Sequence, residues 1–262
     1  LSLKTVLFLL ITIPIQGQNH SLSFDGVDDY VDLGARPSYD FGLNDFSLTA
    51  FIKPSTNSQN GRVICRGITS NQGSYQLNID LNGKLRLSFN NLDFYSEEDI
   101  IQSNQWQQIA MTRNGETIKG YVNGIVVINE NTPILDLTSQ EPLVLGIEPG
   151  YGSNFNGEID EVSIWNKALS DAEVQSTLNS DLSGDEQGLV GLWNFNSGSG
   201  NILYDHAGNQ NHGTINGAIW STDVPVLGCT DPYAENYNSS ANVDDGSCAG
   251  YPDNGNYSLS FD

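Results

Sequence analysis

Apolar and polar residues alternate with a period of two along much of this chain. In Phe46-Ser47-Leu48-Thr49-Ala50-Phe51-Ile52 the alternation places Phe46, Leu48, Ala50 and Ile52 on one face. Tyr75, Leu77 and Ile79 alternate in the same way. Asn82-Gly83 then supplies a hairpin turn into Lys84-Leu85-Arg86-Leu87-Ser88-Phe89. Trp106 to Arg113 reads as a strand, Asn114-Gly115 as a turn and Thr117 to Val122 as its return. Asn123-Gly124 leads into a further strand from Ile125 to Ile128. Tight Asn-Gly turns between alternating runs, with no helical period between them, predict antiparallel sheets packed as a two-sheet sandwich. One short helix is predicted near 170–179, because Ser170-Asp171-Ala172-Glu173 has the form of a capping box running toward Leu178.

Two features at the ends set the organisation. A basic Lys4 precedes an apolar run from Val6 to Ile15, with the small Gly17 after it. The run is shorter than the roughly 20 residues of a membrane span and fits an export signal over 1–18. Ser21-Leu22-Ser23-Phe24-Asp25 recurs as Ser258-Leu259-Ser260-Phe261-Asp262. A second copy of the first domain is therefore expected to begin within 250–262.

Charge narrows the partners. The chain has 10 Lys and Arg against 32 Asp and Glu, a net charge of −22. Such a surface repels phosphates, so nucleic acid is excluded as a partner and membrane insertion is not expected. It suits divalent cations, which take hard oxygen ligands, and it also serves solubility alone. Cys229 and Cys248 bracket a short polar loop and are predicted to pair in an oxidising compartment. Cys65, inside a strand-like run, is expected to be a buried free thiol.

Several segments carry a family signature. Leu22-Ser23-Phe24-Asp25-Gly26-Val27-Asp28-Asp29-Tyr30-Val31 opens the domain, and Asp45 to Pro54 follows. Trp106-Gln107-Gln108-Ile109-Ala110 pairs with Tyr121-Val122-Asn123-Gly124. Gly157-Glu158-Ile159-Asp160-Glu161-Val162-Ser163-Ile164-Trp165 then closes it. These segments resemble the laminin-G-like, concanavalin A-like jelly-roll family, although Phe51 stands where the family often has Trp. The resemblance implies an all-β, two-sheet antiparallel jelly-roll sandwich over 19–182. Residues 183–227 are expected as a β extension packed on it. Residues 228–249 resemble a small disulfide-closed repeat found between modules of exported surface proteins.

The resemblance also implies a binding or adhesion module, secreted or at the cell surface, with a glycan or extracellular protein as ligand and adjacent copies of itself as neighbours. Its alternatives are an accessory carbohydrate-binding domain of a secreted polysaccharide-degrading enzyme and a ligand-free spacer. A structural calcium often accompanies such domains. In related jelly rolls the first and last strands are neighbours and both supply ligands. Asp25, after the first strand, and Asp160, in the closing strand, are the candidate pair, with Asp28 and Asp29 as alternatives. The same residues serve equally as turn caps without a metal. Ile159 and Val162 are three apart and both apolar, so a bulge at Asp160-Glu161 is expected between them.

No catalytic residues are expected. Laminarinase-like enzymes of this fold carry Glu-x-Asp-x-Glu, whose outer carboxylates act about 5–5.5 Å apart. Here Glu158 and Asp160 share a face, but the next position on it is Val162. The histidines are His20, His206 and His212, and none has ligand or triad spacing. Trp106 and Trp165 read as core. Phe51, Tyr95 and Tyr151 are the aromatics suited to stacking on sugar rings.

Overall fold

A computed structural model of the protein describes residues 19–250. The expected export signal over 1–18 and the second copy over 250–262 lie outside the described residues, save for Gly250. The chain runs through β1 (Ser21–Asp25), β2 (Tyr30–Gly34), β3 (Phe46–Pro54), β4 (Gly61–Arg66), β5 (Tyr75–Asp80), β6 (Lys84–Phe89), β7 (Leu92–Tyr95), β8 (Gln107–Asn114), β9 (Thr117–Val122) and β10 (Ile125–Asn131). Then come β11 (Leu143–Leu145), β12 (Asn156–Trp165), helix α1 (Asp171–Asn179), β13 (Leu189–Trp193), β14 (Ile202–Leu203), β15 (Gly213–Asn216) and β16 (Ile219–Ser221). The short β17 (Leu227–Gly228) and β18 (Val243–Asp244) are last.

Two antiparallel sheets face each other. The first has the order β10-β9-β8-β3-β12-β1-β16, with β13 also beside β12. The second has the order β14-β15-β2-β11-β4-β5-β6-β7. The predicted faces are the ones buried between them: Phe46, Leu48, Ala50 and Ile52 are fully buried, as are Tyr75 and Leu77. Phe46 stacks on Phe41 with centroids 4.4 Å apart and meets Tyr75 at 5.2 Å. Burying each such side chain contributes about 1.5–3 kcal/mol relative to exposure.

The turns follow local chemistry. Asn82 and Gly83 both have positive φ, 61° and 64°, and so do Asn123 and Gly124, 48° and 73°. That is the geometry in which Asn-Gly matches the twist of paired strands. The third turn is shifted by one: Asn114 pairs with Thr117, so the loop is Gly115-Glu116, and only Gly115 has positive φ.

The bulge expected in β12 is present. Its pairing with β3 slips between Asp160 and Ser163, and Glu161 has φ 46°. The slip lets Ile159 and Val162 both reach the core, where neither is exposed. It also marks a change of neighbour. Before the bulge β12 pairs with β1, and after it with β13.

Residues 183–227 thus contribute to both sheets: β13 and β16 join the first, and β15 joins β2 in the second. The polar stretch after β14 is a turn scaffold. Asp205 accepts from the amides of Leu192, Ala207 and Asn211, while its own amide donates to Nδ1 of His212.

Helix α1 lies on the outer face of the first sheet. Ser170 caps it by accepting from the Glu173 amide, and Glu173 accepts in return from the Ser170 amide at 2.8 Å. Its Val174 packs with Ala110, Tyr121 and Trp165, and its Leu178 with Phe51 and Trp106. Cys229 and Cys248 are bonded, with Cα atoms 4.7 Å apart. The small unit they close docks through Val243 onto Phe51 and Trp106, with Leu227 of the preceding connector packed beside them. Cys65 is a buried free thiol, and burial raises its pKa. Among the described residues no helix is long and apolar enough to cross a membrane.

Candidate functional site

The β1–β2 turn concentrates carboxylates. Oxygens of Asp25, Asp28 and Asp29 lie within 4.8 Å of one another. Asp25 accepts from the Val27 amide at 2.7 Å, and the Asp25 amide donates to Asp29 at 2.9 Å. Asp29 is buried. Its burial raises the carboxyl above its ordinary range despite that hydrogen bond, and the charges of Asp25 and Asp28 add to the rise. Gly217 makes this packing possible: at φ 81°, a Cβ there would lie 2.0 Å from an Asp29 oxygen. Asn154 reaches the same turn, donating through its side-chain amide to the Val27 carbonyl, while its Oδ1 is buried without a partner. Three carboxylates on one turn are hard oxygen donors, the ligand type that calcium takes.

Asp160 does not join this set. β1 and β12 are neighbours as expected, but the antiparallel register pairs Asp25 with Asn156 and Leu22 with Ile159. Asp160 is therefore four residues further along β12, about 13 Å at the strand rise. Strand adjacency was right, but antiparallel polarity puts the two residues at opposite ends of β1, so the Asp25–Asp160 ligand pair does not form. Asp28 and Asp29, the alternatives, are the residues that come together with Asp25.

The closing-strand carboxylates Glu158 and Asp160 have different surroundings. The Ser21 hydroxyl donates to the Asp223 carbonyl at 2.6 Å, and its Oγ lies 3.1 Å from a Glu158 carboxylate oxygen. Asp160 and Glu161 line a cavity beneath the 224–227 connector.

The outer face of the second sheet is polar and firmly held. Arg62, Asn78, Arg86 and Tyr95 form one row across β4, β5, β6 and β7. At one end, Arg62 and Glu148 form a buried ion pair at 2.6 Å. The other Glu148 oxygen accepts from the Thr69 amide and hydroxyl, at 2.8 and 2.9 Å. Burial raises the Glu148 carboxyl, but its bonds to Thr69, Arg62 and Gln76 outweigh this and leave it below its ordinary range. The network fastens the loops carrying Thr69 and Glu148 to the sheet.

At the other end, Asp93 takes two hydrogen bonds from Arg86, at 2.9 and 3.0 Å, and the guanidinium lies 5.7 Å from the Tyr95 ring centroid. Tyr95 is 48% exposed and Tyr151, in the Glu148 loop, 62%. Phe51 is 5% exposed beneath Leu178 and Val243, so it is not available for stacking. Trp106 and Trp165 are core, each 3% exposed. Glu148 and Arg62 escaped the sequence reading because their partners come from a loop with no periodic signal.

The family described as the concanavalin A-like lectin/glucanases superfamily matches residues 25–175. No curated protein matches the chain. Among solved structures, a Bacteroides ovatus protein provisionally named for carbohydrate binding is similar at 18% identity and a TM-score of 0.65. The match covers 80% of this chain and 62% of that one. A sialidase CBM40 of Ruminococcus gnavus, solved with α2,3-sialyllactose, is similar at 14% identity and a TM-score of 0.52, covering 60% of this chain and 95% of that one. A heptameric SAP-like pentraxin of Limulus polyphemus is similar at 16% identity and a TM-score of 0.51, covering 63% and 83%. At such identities the likeness establishes the fold.

Proposed function

The chain belongs to the concanavalin A-like lectin/glucanase superfamily, and on that premise we propose that it is a non-catalytic binding module of an exported surface protein, with a glycan as its ligand. The observation that carries this reading is the outer face of the second sheet. Tyr95 is exposed, yet its ring is backed by a guanidinium that two hydrogen bonds to Asp93 hold in place. A sugar ring stacks on such an aromatic with little ordering cost, because the platform is already rigid. The polar row beside it is buried and paired internally, and its Arg62–Glu148 pair fixes the loop that bears the exposed Tyr151. Extracellular protein ligands fit the same rigid, loop-bearing frame, and repetition of the module adds avidity.

Calcium at Asp25, Asp28 and Asp29 is part of the proposal. The ion would offset three neighbouring negative charges and pin the β1–β2 turn. A disulfide between Cys229 and Cys248 supports an oxidising, extracellular setting. The supporting test is a glycan array with the purified chain, followed by calorimetric titration of any sugar retained. Tyr95→Ala should abolish that binding without changing the melting temperature. A folded chain that retains no glycan would refute the reading and leave protein ligands or a spacer role.

A further inference from the structure

A sugar seated on Tyr95 meets the charges of the outer face of the second sheet, and those charges select among sugars. Strands β4 to β7 carry four basic residues, Arg62, Arg66, Lys84 and Arg86. Each is already occupied. Arg62 pairs with Glu148 at 2.6 Å and donates to Asn60 at 2.6 Å. Arg66, 1% exposed, gives its guanidinium to the carbonyls of Tyr39, Ser139 and Glu141. Lys84 pairs with Glu98 at 3.1 Å. Arg86 directs Nε and Nη2 at Asp93, and its Nη1 lies 3.6 Å from Asp80. Binding a carboxylate, sulfate or phosphate calls for an arginine fork with free N–H groups or for an unpaired lysine. The fork beside Tyr95 is taken by Asp93.

The surroundings are acidic as well. The segment 80–99, which carries Tyr95, has Asp80, Asp93, Glu97, Glu98 and Asp99 against Lys84 and Arg86, a net charge of −3. Glu97, Glu98 and Asp99 are exposed. The loop of Tyr151, residues 146–154, contains no Lys, Arg or His. Burial raises the pKa of the Tyr95 hydroxyl, Arg86 opposes the rise, and Asp93 and Asp80 add to it, so both carboxylates act at this side chain. The chain as a whole, at −22, repels anions at longer range. Hydroxyl groups meet the opposite situation. Among the described residues Oδ2 of Asp93 accepts one hydrogen bond, from Arg86, and an ionised carboxylate oxygen has room for a second. A sugar hydroxyl donating there makes a charge-assisted bond.

We infer that the site at Tyr95 takes neutral, hydroxyl-rich sugars and rejects glycans that bear carboxylate, sulfate or phosphate groups. The inference rests on the reading of Tyr95 as a glycan platform and adds the chemical class of its ligand. The selection is electrostatic: every cation within the site's strands is neutralised by the protein itself, and the remaining exposed charges are negative.

The test presents the full chain with matched pairs of glycans: lactose beside sialyllactose, galactan beside polygalacturonate, and cello-oligosaccharides beside their sulfated forms. Pairs with a retained member are then titrated by calorimetry. The neutral member should bind, and the acidic member should bind at least about tenfold more weakly. Raising the salt from about 0.1 M to about 1 M shortens the screening length from about 10 Å to about 3 Å, so the gap should narrow. Asp93→Asn should narrow it too, because a neutral partner leaves the Arg86 charge uncompensated. The salt comparison needs no variant and stands even if Asp93→Asn does not fold. An acidic member bound as tightly as its neutral parent, and lost in Tyr95→Ala, would overturn the inference while leaving the glycan platform intact. A gap that salt leaves unchanged would overturn it as well, since shape would then be the cause. Retention of neither member of any pair would sink the platform and the inference together.

Discussion

Replacing Glu148 with Gln removes one charge and leaves the side-chain shape nearly unchanged. Glu148 is 1% exposed, and its partner Arg62 has a side chain 4% exposed. One carboxylate oxygen takes the Arg62 guanidinium, with Nε at 2.8 Å, and the other takes the Thr69 amide, the Thr69 hydroxyl and the Gln76 amide. A Gln has one acceptor oxygen, so either Arg62 or the Thr69–Gln76 donors then face an NH2 group. The guanidinium is left buried without a counter-charge, which costs about 3–5 kcal/mol. That is a large part of the roughly 5–15 kcal/mol by which domains are stable.

Urea denaturation with an unchanged m-value should show the loss as a lower midpoint. The double variant Arg62→Gln/Glu148→Gln should be less destabilised than the sum of its single variants, by at least about 1 kcal/mol. The pH dependence has a definite sign. The folded-state pKa of Glu148 is depressed, so its stabilisation is present above the ordinary value of 4.5 and is lost as the pH falls through the lowered one. A Glu148→Gln protein within about 1 kcal/mol of wild type would refute the claim that this buried pair holds the two loops down.

Ser170→Ala removes the cap of α1 and should cost about 1 kcal/mol, measured by thermal melting. The same substitution should raise the pKa of Glu173, which Lys167 first and then Ser170 hold down to about 2, and carboxylate NMR titration would detect the rise. Because Glu173 is exposed, its contribution to stability is small; it is present above pH 4.5 and fades as the pH falls toward 2. Reducing Cys229–Cys248 should release about 3 kcal/mol of chain-entropy stabilisation from the small unit, given a closed loop of about 20 residues. Hydrogen exchange should then show 229–248 losing protection while β3 and β12 keep theirs; loss of protection throughout the sandwich would contradict local docking.

Short-range pattern decided much of this protein. The alternation in β3, β5 and β6 fixed which side chains face the core, because a strand has only two faces. Ser170 and Glu173 fixed the start of the helix, since a capping box satisfies its own amides within four residues. Even the bulge was legible, as Ile159 and Val162 cannot both reach the core from a regular strand. For a metal the sequence named Asp25 with Asp160, and Asp28 and Asp29 only as alternatives; those two share a turn with Asp25 that is too short to keep the three apart.

What tertiary structure alone decided was everything that depends on register between distant segments. β1 and β12 are neighbours, but their antiparallel pairing sets Asp25 against Asn156 rather than near Asp160. Phe51 looked like a surface aromatic until Leu178 and Val243, from a helix and a linker far along the chain, closed over it. Glu148 has no neighbour in sequence that announces its role; Arg62, Thr69 and Gln76 reach it from three other segments. Alternation records the side of a sheet on which a residue stands, because side-chain direction is a local property of the backbone. It does not record which remote group stands opposite, because that is set by strand order and by the path of the loops.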